Sequence, residues 1–216
     1  MFRKPMTRKL PARAVLIRSA WLAVAALGLA GCIDKQTVGN DSTVRGTLQV
    51  CSSCHGMEGR SQNATFPNLA GQQHDYLVAQ LHAFRDKTRA DPHAHTYMWG
   101  MAAKLDDATI EGVAKFFAAQ TPATGTSQDP ALVVAGAEIA KSGIAAEAVP
   151  ACTACHGDAL AGAATVPRLA GQHREYLGNQ LQAFQVNSRA NEMMHQNAKN
   201  LTPQQIRAVT AYLASL

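Results

Sequence analysis

Apolar residues recur at helical spacing through most of the chain. In each half, three of them fall at i, i+4 and i+7, which places them on one face of a helix. These residues are Leu77, Leu81 and Phe84 in the first half and Leu177, Leu181 and Phe184 in the second. No segment shows the alternation of apolar and polar residues that is typical of a strand. The pattern therefore predicts a mostly α-helical protein.

A further helix is predicted near the end of each half. Its apolar positions are Ile110, Val113 and Phe117 in the first half and Ile206, Val209 and Leu213 in the second. Thr202, followed by a proline and then by Gln205, is a good helix start, and Asp106 is the matching cap. We also expect a helix before each cysteine motif described below, with Gly46 and Gly136 as sites of close helix approach.

The two halves are copies of one module. Residues 66–90 align with 166–190 at an offset of 100, and residues 98–117 align with 194–213 at an offset of 96. Such a duplication predicts two small domains joined by a linker, because the segment between them is rich in Thr, Ser, Pro and Gly. The predicted bounds are residues 44–120 for the first domain, 121–131 for the linker and 132–216 for the second domain.

The positive charge of the chain lies in its N-terminal segment. Of the 20 basic residues, six lie in residues 1–31, which contain no acid, and the remaining 14 are matched by 15 acidic residues. The part that follows therefore has no basic excess, and no nucleic-acid partner is expected. A basic stretch followed by a short apolar run, at residues 19–30, is typical of an export signal, which we predict over residues 1–31.

LAGC, at residues 29–32, resembles a bacterial lipobox, in which a peptidase cuts before the cysteine and the thiol is acylated. We predict a lipid-modified Cys32 and a polar tether over residues 32–43, which hold the protein at the periplasmic side of a membrane. An ordinary signal peptide that releases a soluble periplasmic protein is the alternative. Acylation is favoured because it accounts for the one cysteine that otherwise remains as an odd exposed thiol.

Each half contains one Cys-x-x-Cys-His motif, CSSCHG at residues 51–56 and CTACHG at residues 152–157. The spacing indicates covalent attachment of c-type haem, since two thiols about one helical turn apart bond to its vinyl groups and the histidine binds its iron. A small helical domain also needs such an apolar group to complete its core. We therefore predict two covalently bound haem c groups. The residues assigned to them are Cys51, Cys54 and His55, and Cys152, Cys155 and His156.

Two other interpretations of the cysteine pairs are weaker. A thioredoxin-like redox pair needs a βαβ unit, which the pattern does not show. A zinc site made by the four cysteines is conceivable, since pairs with this spacing bind zinc in other proteins. Zinc, however, requires neither a histidine after each second cysteine nor a repeated module around each pair.

Met98 and Met194 align in the repeat, and each is followed seven residues later by a leucine. Methionine and histidine together fill both axial positions of haem iron and raise its potential, which favours electron transfer over substrate binding. Met101 and Met193 have no methionine at the aligned position, so we expect them to be packing residues. The unmatched histidines near the candidate ligands, which we expect on the surface, are His93, His95 and His195.

Six further residues are candidates for supporting contacts. The carbonyl groups of Pro67 and Pro167, 12 and 11 residues after the motif histidines, are expected to accept the imidazole Nδ1–H. A haem propionate that is partly buried needs a hydrogen-bond donor or a cation. The candidates for that role are Tyr76, Tyr176, Arg89 and Arg189, for which interface packing is the alternative.

These segments together resemble the bacterial di-haem cytochromes of the cytochrome c4 type, which are built from two class I cytochrome c domains. The matching motifs, over about residues 44–216, include CSSCHG, FPNLAGQ and MWGMAAKL, and then PACTACHG, VPRLAGQHREYLGNQLQAF and MHQNAKNLTPQQIRAV. The resemblance implies two mostly α-helical domains related by pseudo-twofold symmetry, with propionates near their interface and with Met98 and Met194 as distal ligands. The chain departs from the family in a longer, histidine-rich DPHAHTY segment and in the His195-Gln196 pair.

The favoured hypothesis is an electron carrier, not an enzyme, in a bacterial respiratory chain. The resemblance implies delivery of electrons towards a terminal oxidase. The expected partners are therefore a donor such as a quinol-oxidising complex and an acceptor such as a haem-copper oxidase. A fixed electron-transfer subunit of a membrane dehydrogenase or respiratory complex is the first alternative. A di-haem peroxidase is the second, and methionine at both aligned positions argues against it, because such an enzyme needs a vacant or displaceable site.

Overall fold

The computed structural model describes residues 41–125 and 129–216 of the chain. The predicted signal segment, Cys32, most of the tether and three residues of the linker lie outside the described residues. Everything that is described belongs to one compact unit, in which the two halves contact each other directly.

Helices make up the regular structure of both halves. The first half contains α1 (Ser42–His55), α2 (His74–Arg85), a π-helical turn (Ala94–Met98) that continues into α3 (Trp99–Ala102), and α4 (Asp107–Ala118). The second half contains α5 (Pro130–Ser142), a 3-10 turn (Ala145–Glu147), α6 (Thr153–His156), α7 (Arg174–Gln185), α8 (Glu192–Ala198) and α9 (Pro203–Leu213). The described residues form no β-strand, only two isolated antiparallel bridges, so the predicted mostly α-helical class is confirmed. No helix among them is long and apolar enough to cross a bilayer.

Both predicted helix starts are present. The carboxylate of Asp106 accepts a hydrogen bond from the Thr109 amide at 2.8 Å, which caps α4. At α9, the Thr202 hydroxyl accepts from the Gln205 amide while the Gln205 side chain accepts from the Thr202 amide. These contacts satisfy amide groups that a helix start otherwise leaves without partners, which explains why helices begin at these residues.

The periodic apolar residues form the core of each half. In the first half, α1, α2 and α4 pack together around Leu77 and Phe117, both of which are buried. In the second half, α5, α7 and α9 pack around Leu177 and Leu213 in the same way. Each half therefore builds its core from its first helix, its last helix and the helix that follows the cysteine motif.

Small residues allow the first and last helices of each half to approach closely. Gly136 lies against α9, where an added Cβ would come within 2.0 Å of the Ala208 carbonyl oxygen, so this predicted site of close approach is confirmed. Gly46 is exposed, and a Cβ there would meet nothing within 4 Å, so the prediction for that glycine is wrong. The first half instead places its small residue on the last helix: a Cβ on Gly112 would lie 2.7 Å from a methyl group of Val44.

The two cysteine motifs occupy helix ends that differ between the halves. In the first half, α1 runs unbroken through the motif to His55, and Gly56 follows at a φ of +82°. In the second half, α5 ends at Ser142, and the motif forms the separate short helix α6, which is followed by Gly157 at a φ of +78°. These φ values are left-handed and favour glycine, which explains the glycine after each motif histidine.

The described parts of the predicted linker pack against both halves. The Thr121 carbonyl accepts a hydrogen bond from Arg60 Nη1 at 2.7 Å, and the Gly125 amide donates to the Leu216 carbonyl at 2.7 Å. Helix α5 begins at Pro130, so the helical part of the second half starts two residues before the predicted domain bound of 132.

A reciprocal set of hydrogen bonds joins the two halves. The side-chain amide of Gln72 binds the backbone of Arg168, accepting from its N–H at 2.7 Å and donating to its carbonyl at 3.0 Å. Gln172, the aligned residue, binds the backbone of Asn68 in the same way, at 2.8 and 2.9 Å. Each contact is thus repeated with the halves exchanged, which is the pseudo-twofold relation that the resemblance implied.

The neighbouring residues continue this exchange. Gln73 Nε2 donates to the Ala161 carbonyl at 2.8 Å, and His173 Nε2 lies 3.0 Å from the Ser61 carbonyl. Both pairs keep the sequence offset of 100, so these contacts follow the same pseudo-twofold relation.

Candidate functional site

One cavity of about 760 Å³ extends through both halves and reaches both cysteine motifs. Its wall includes Cys51, His55 and Met98 from the first half and Cys152, Cys155, His156 and Met194 from the second. Apolar residues of the helical cores line it as well, among them Leu77, Phe84, Leu177 and Phe184. The remaining motif cysteine, Cys54, is exposed. The structure therefore brings most of the sequence-predicted ligands to one largely apolar space.

Each motif histidine is held by the carbonyl group that the sequence analysis expected. His55 Nδ1 lies 2.9 Å from the Pro67 oxygen, and His156 Nδ1 lies 2.8 Å from the Pro167 oxygen. Burial lowers the pKa of both imidazoles, although the carbonyl hydrogen bonds act in the opposite direction. A neutral imidazole that donates from Nδ1 keeps the lone pair of Nε2, which is the form that binds a metal.

The first cysteine of each motif lacks the lowered pKa of a reactive redox thiol. Burial raises the pKa of the Cys51 thiol to about 11, and it also raises the pKa of Cys152. Redox-active thiols have lowered pKa values, so the thioredoxin-like interpretation gains no support. In the described part of the chain, no three His, Cys, Asp or Glu side chains come together as a metal site, so the four cysteines do not assemble the zinc site considered above.

The two aligned methionines occupy equivalent places. Met98 ends the π-helical turn and packs with Phe84 and Ala102. Met194 lies in α8 and packs against the cluster that contains Phe184 and Ala198. Both residues are half-buried and line the cavity.

Two expectations for neighbouring residues need correction. Met101 and Met193 are 58% and 64% exposed, so they do not pack in a core as expected. Of the three unmatched histidines, only His95 is exposed, with its ring against Trp99. The other two are half-buried: His93 lines the cavity, and His195 Nδ1 lies 2.8 Å from the Phe184 carbonyl oxygen.

The arginine and tyrosine candidates form one buried cluster in which each arginine reaches the tyrosine of the other half. Arg189 Nη2 donates to the Tyr76 hydroxyl at 2.8 Å, and Arg89 Nη2 donates to the Tyr176 hydroxyl at 3.3 Å. Each guanidinium also lies over the phenyl ring of its own half, Phe84 or Phe184, at 4.7 and 4.6 Å from the centroid. The cluster forms part of the cavity wall and part of the contact between the halves.

Two glutamines in the cluster were not singled out from the sequence. Gln80 Oε1 accepts hydrogen bonds from both arginines, at 2.8 and 2.9 Å. Gln180 Oε1 accepts from both as well, at 2.8 and 2.7 Å. Their alignment in the repeat was visible, but that both arginines converge on them depends on how the halves face each other, which the sequence does not show.

Asp91 adds a carboxylate to this cluster. Its Oδ2 accepts from Arg89 Nε at 2.8 Å, and only 2% of the residue is exposed. Burial alone would raise the pKa of Asp91, but the Arg89 guanidinium outweighs it and holds that pKa below its ordinary value. With Arg189 included, the cluster therefore holds two positive charges and one negative charge in a wall of the cavity.

These residues fit one haem c group in each half. Each half offers two thiols at the required spacing, an imidazole with one nitrogen reserved for a metal, a methionine sulfur and apolar walls. The excess positive charge of the cluster suits the carboxylates of such a group. When bound, haem c supplies an iron that changes between Fe(II) and Fe(III) by one electron. The role of the polypeptide is to hold the haem group, keep water from its faces and set the charge around it.

A family model described as cytochrome c matches two parts of the chain, residues 47–120 and 133–216. Each match contains one Cys-x-x-Cys-His motif. The chain therefore belongs to the cytochrome c family, and it carries two covalently bound haem c groups.

Three relatives indicate which type of cytochrome c this chain is. The chain is 43% identical to cytochrome c-552 of Acidithiobacillus ferridurans over 171 residues, covering 77% of this chain and 73% of the relative. It is 35% identical to cytochrome c4 of Pseudomonas aeruginosa over 196 residues, covering 88% and 94%. It is 34% identical to the thiosulfate dehydrogenase electron acceptor of Stutzerimonas stutzeri over 192 residues, covering 85% and 86%. Within the family, the chain is thus a di-haem protein of the cytochrome c4 type, and it is an electron carrier rather than an enzyme.

Solved structures agree with this placement. The cytochrome c4 of Acidithiobacillus ferrooxidans matches with a TM-score of 0.75 at 41% identity, over 78% of this chain and 99% of that one. Cytochrome c4 from Pseudomonas stutzeri matches with a TM-score of 0.72 at 34% identity, over 82% and 99%. The predicted fold of two cytochrome c domains related by pseudo-twofold symmetry is confirmed.

Proposed function

We propose that this protein carries electrons through the bacterial periplasm towards a terminal oxidase, while a lipid on Cys32 anchors it to a membrane. The observation that carries the proposal is that each half places its motif histidine and its aligned methionine in the wall of one largely apolar cavity. Iron with both axial positions filled exchanges electrons without binding a substrate. The export signal and the lipobox of the sequence support the location and the anchor.

The assignment of the ligands is part of this proposal. The thioether-forming residues are Cys51, Cys54, Cys152 and Cys155. The axial ligands are His55 and Met98 in the first half and His156 and Met194 in the second. The hydrogen bonds of the two imidazoles to Pro67 and Pro167 support it, because they leave Nε2 for the iron. The residues proposed to hold the propionates are Tyr76, Tyr176, Arg89 and Arg189.

Two kinds of electron donor are consistent with this role. A quinol-oxidising complex is the first, with a haem-copper oxidase as the acceptor. A dehydrogenase that holds this protein as a fixed subunit is the second candidate. The similarity to a protein named as the electron acceptor of thiosulfate dehydrogenase is the reason to keep a dehydrogenase as the second candidate.

Membranes of a bacterium that makes the full chain provide the test. We expect the wild-type protein in the membrane fraction and the Cys32→Ser variant in the soluble periplasmic fraction. In the membranes, a quinol should reduce both haem groups, and oxygen should reoxidise them in a reaction that cyanide blocks.

Three results would count against parts of this proposal. Membrane attachment of the Cys32→Ser variant after its signal segment has been cleaved at another site would exclude the lipid anchor. A quinol donor would be excluded if the haem groups stayed oxidised in the presence of quinol. Isolation of a stable complex with a dehydrogenase would then establish the dehydrogenase as the donor. Peroxide turnover by the purified protein would contradict the role of carrier.

A further inference from the structure

The charged cluster between the halves is symmetric except at one position. Asp91 is buried within it, with Oδ2 2.8 Å from Arg89 Nε and Oδ1 3.4 Å from Gln180 Nε2. The residue at the same offset in the second half is Asn191, which is exposed and caps α8 by accepting from the Met194 amide at 2.9 Å. The first half therefore buries a carboxylate where the second half has a neutral side chain in solvent.

We propose that Asp91 makes the two haem sites unequal by lowering the midpoint potential of the first site relative to the second. A nearby negative charge stabilises Fe(III) over Fe(II), and a wall of low dielectric constant strengthens that effect. Asp91 lies in the wall of the cavity and begins the segment that leads to Met98. The proposal rests on the two haem groups and on the ligand assignment above, but not on the identity of any partner.

The arginines do not cancel this difference, because each half contributes one of them. Arg89 and Arg189 both donate to Gln80 and to Gln180, so their positive charges are placed alike about the pseudo-twofold axis. Only Arg89 has a carboxylate partner, since Arg189 forms no ion pair with any described residue. The difference between the halves is therefore one buried negative charge.

Unequal midpoint potentials give electron transfer between the two haem sites a preferred direction. An electron that enters at the first site moves downhill to the second, where the higher potential holds it. The first half would then face the donor and the second half would face the acceptor. A carrier with two equal sites would have no such preference.

The test is a spectroelectrochemical titration of the purified two-haem protein with Asp91 changed to Asn, the residue that the second half uses. We expect the potential of the first site to rise, so that its Fe(III)/Fe(II) ratio at a fixed electrode potential falls roughly three- to tenfold. A tenfold change corresponds to about 59 mV for one electron. The second site should move less, and the Met98→Ala variant identifies which component belongs to the first site.

Control variants separate charge from structure. Asp86→Asn removes a carboxylate of the first half that is exposed, and it should move neither potential. Asp91→Glu keeps the charge and should keep the separation of the potentials, whereas Asp91→Ser, which is uncharged but of another size, should act as Asn does. Asp91→Ser therefore also serves if the Asn variant does not fold.

Several outcomes would overturn the proposal. They are equal shifts of both sites in the uncharged variants, no shift of either site, or a loss of the separation in the Asp91→Glu variant. The last result would show that Asp91 acts only by holding Arg89 in place. None of these outcomes bears on whether the protein exchanges electrons with a quinol-oxidising complex, which the membrane experiment decides.

Discussion

In the proposed ligand assignment, Met98 and Met194 are the residues that distinguish an electron carrier from a catalyst. A methionine sulfur at the sixth position closes the iron to small molecules, whereas its absence leaves a site where peroxide or another ligand binds. Both methionines are half-buried in the cavity wall, and each packs against the apolar residues of its own half. Their neighbour Met101 is exposed and lies outside the cavity wall, so it provides a matched comparison.

Replacement of Met98 by alanine should leave the haem attached, because the thioethers and His55 do not depend on the methionine. We expect the potential of that site to fall, cyanide to bind there, and about half of the near-infrared band of methionine-ligated Fe(III) to disappear. Met194→Ala should do the same at the other site. Met101→Ala is the control and should leave spectrum and potentials unchanged. A normal redox titration of Met98→Ala would show that another residue binds this iron.

At the scale of single residues, the repeat is what allows axial ligands to be proposed from the sequence. Alignment of the halves distinguished Met98 from Met101 without any structure, because only the former has a counterpart. The burial of Asp91 was not predictable, since an Asp-Pro pair after a helix is typical of an exposed turn. Its place in the cluster depends on Arg89 and Gln180, which belong to different halves.

In each half, the first and the last helix approach each other closely where one of them carries a glycine. The contact is made by Gly136 and Ala208 in the second half and by Val44 and Gly112 in the first. Gly112 and Ala208 align in the repeat. The glycine of the contact therefore lies on the last helix in the first half and on the first helix in the second half. What both copies retain is the small combined size of the pair, because helix axes approach closely only where side chains are small.

Gly136→Ala should therefore destabilise the protein by about 1–3 kcal/mol, since its Cβ would meet backbone rather than a movable side chain. Gly46→Ala is the matched control: it lies in α1 with open space around it and should stabilise the protein by roughly 0.5–1 kcal/mol. Chemical denaturation of the haem-loaded variants, followed by circular dichroism, measures both. Equal effects of the two substitutions would contradict the close contact at Gly136.

Helix positions were predictable from apolar spacing and caps. Which glycine of the first half, Gly46 or Gly112, makes the close helix contact was not predictable. Both glycines lie within helical patterns, and only the rotation of α1 about its axis places Gly46 towards solvent. That rotation is set by the packing of Leu48 and Val44, both buried, and not by the glycine itself.

At the scale of the whole molecule, polar contacts that come in exchanged pairs join the two halves. Gln72 and Gln172 are 7% and 6% exposed, and each satisfies one N–H and one carbonyl in the opposite half. A buried amide that loses its partner costs more than the hydrogen bond itself contributes, so these side chains fix how the halves face each other.

Gln72→Ala and Gln172→Ala should each lower the free energy of unfolding by about 1–3 kcal/mol, and by similar amounts, because the two contacts are equivalent. Gln182→Ala, on the exposed face of α7, is the control and should change it by less than about 0.5 kcal/mol. Denaturation curves of the three variants provide the comparison. A large effect at one glutamine and none at the other would contradict the symmetric interface.

The division of the chain into two similar domains was evident from the offset of 100, but the way they face each other was not. The alignment shows that Arg89 matches Arg189 and that Tyr76 matches Tyr176. It does not show that each arginine binds the tyrosine of the other half, because equivalent residues allow contacts within a half as well as between halves.

The exchanged contacts also indicate how such a chain arises. An interface in which residue i of one copy binds residue j of the other, and the reverse, is the arrangement of a symmetric homodimer. Two separate one-haem chains would meet through the same surface only at sufficient concentration, whereas joined copies meet at any dilution. After fusion, the sequences of the two copies can also diverge. A charge such as that of Asp91 can then be placed on one side of the axis alone, which no pair of identical subunits can achieve.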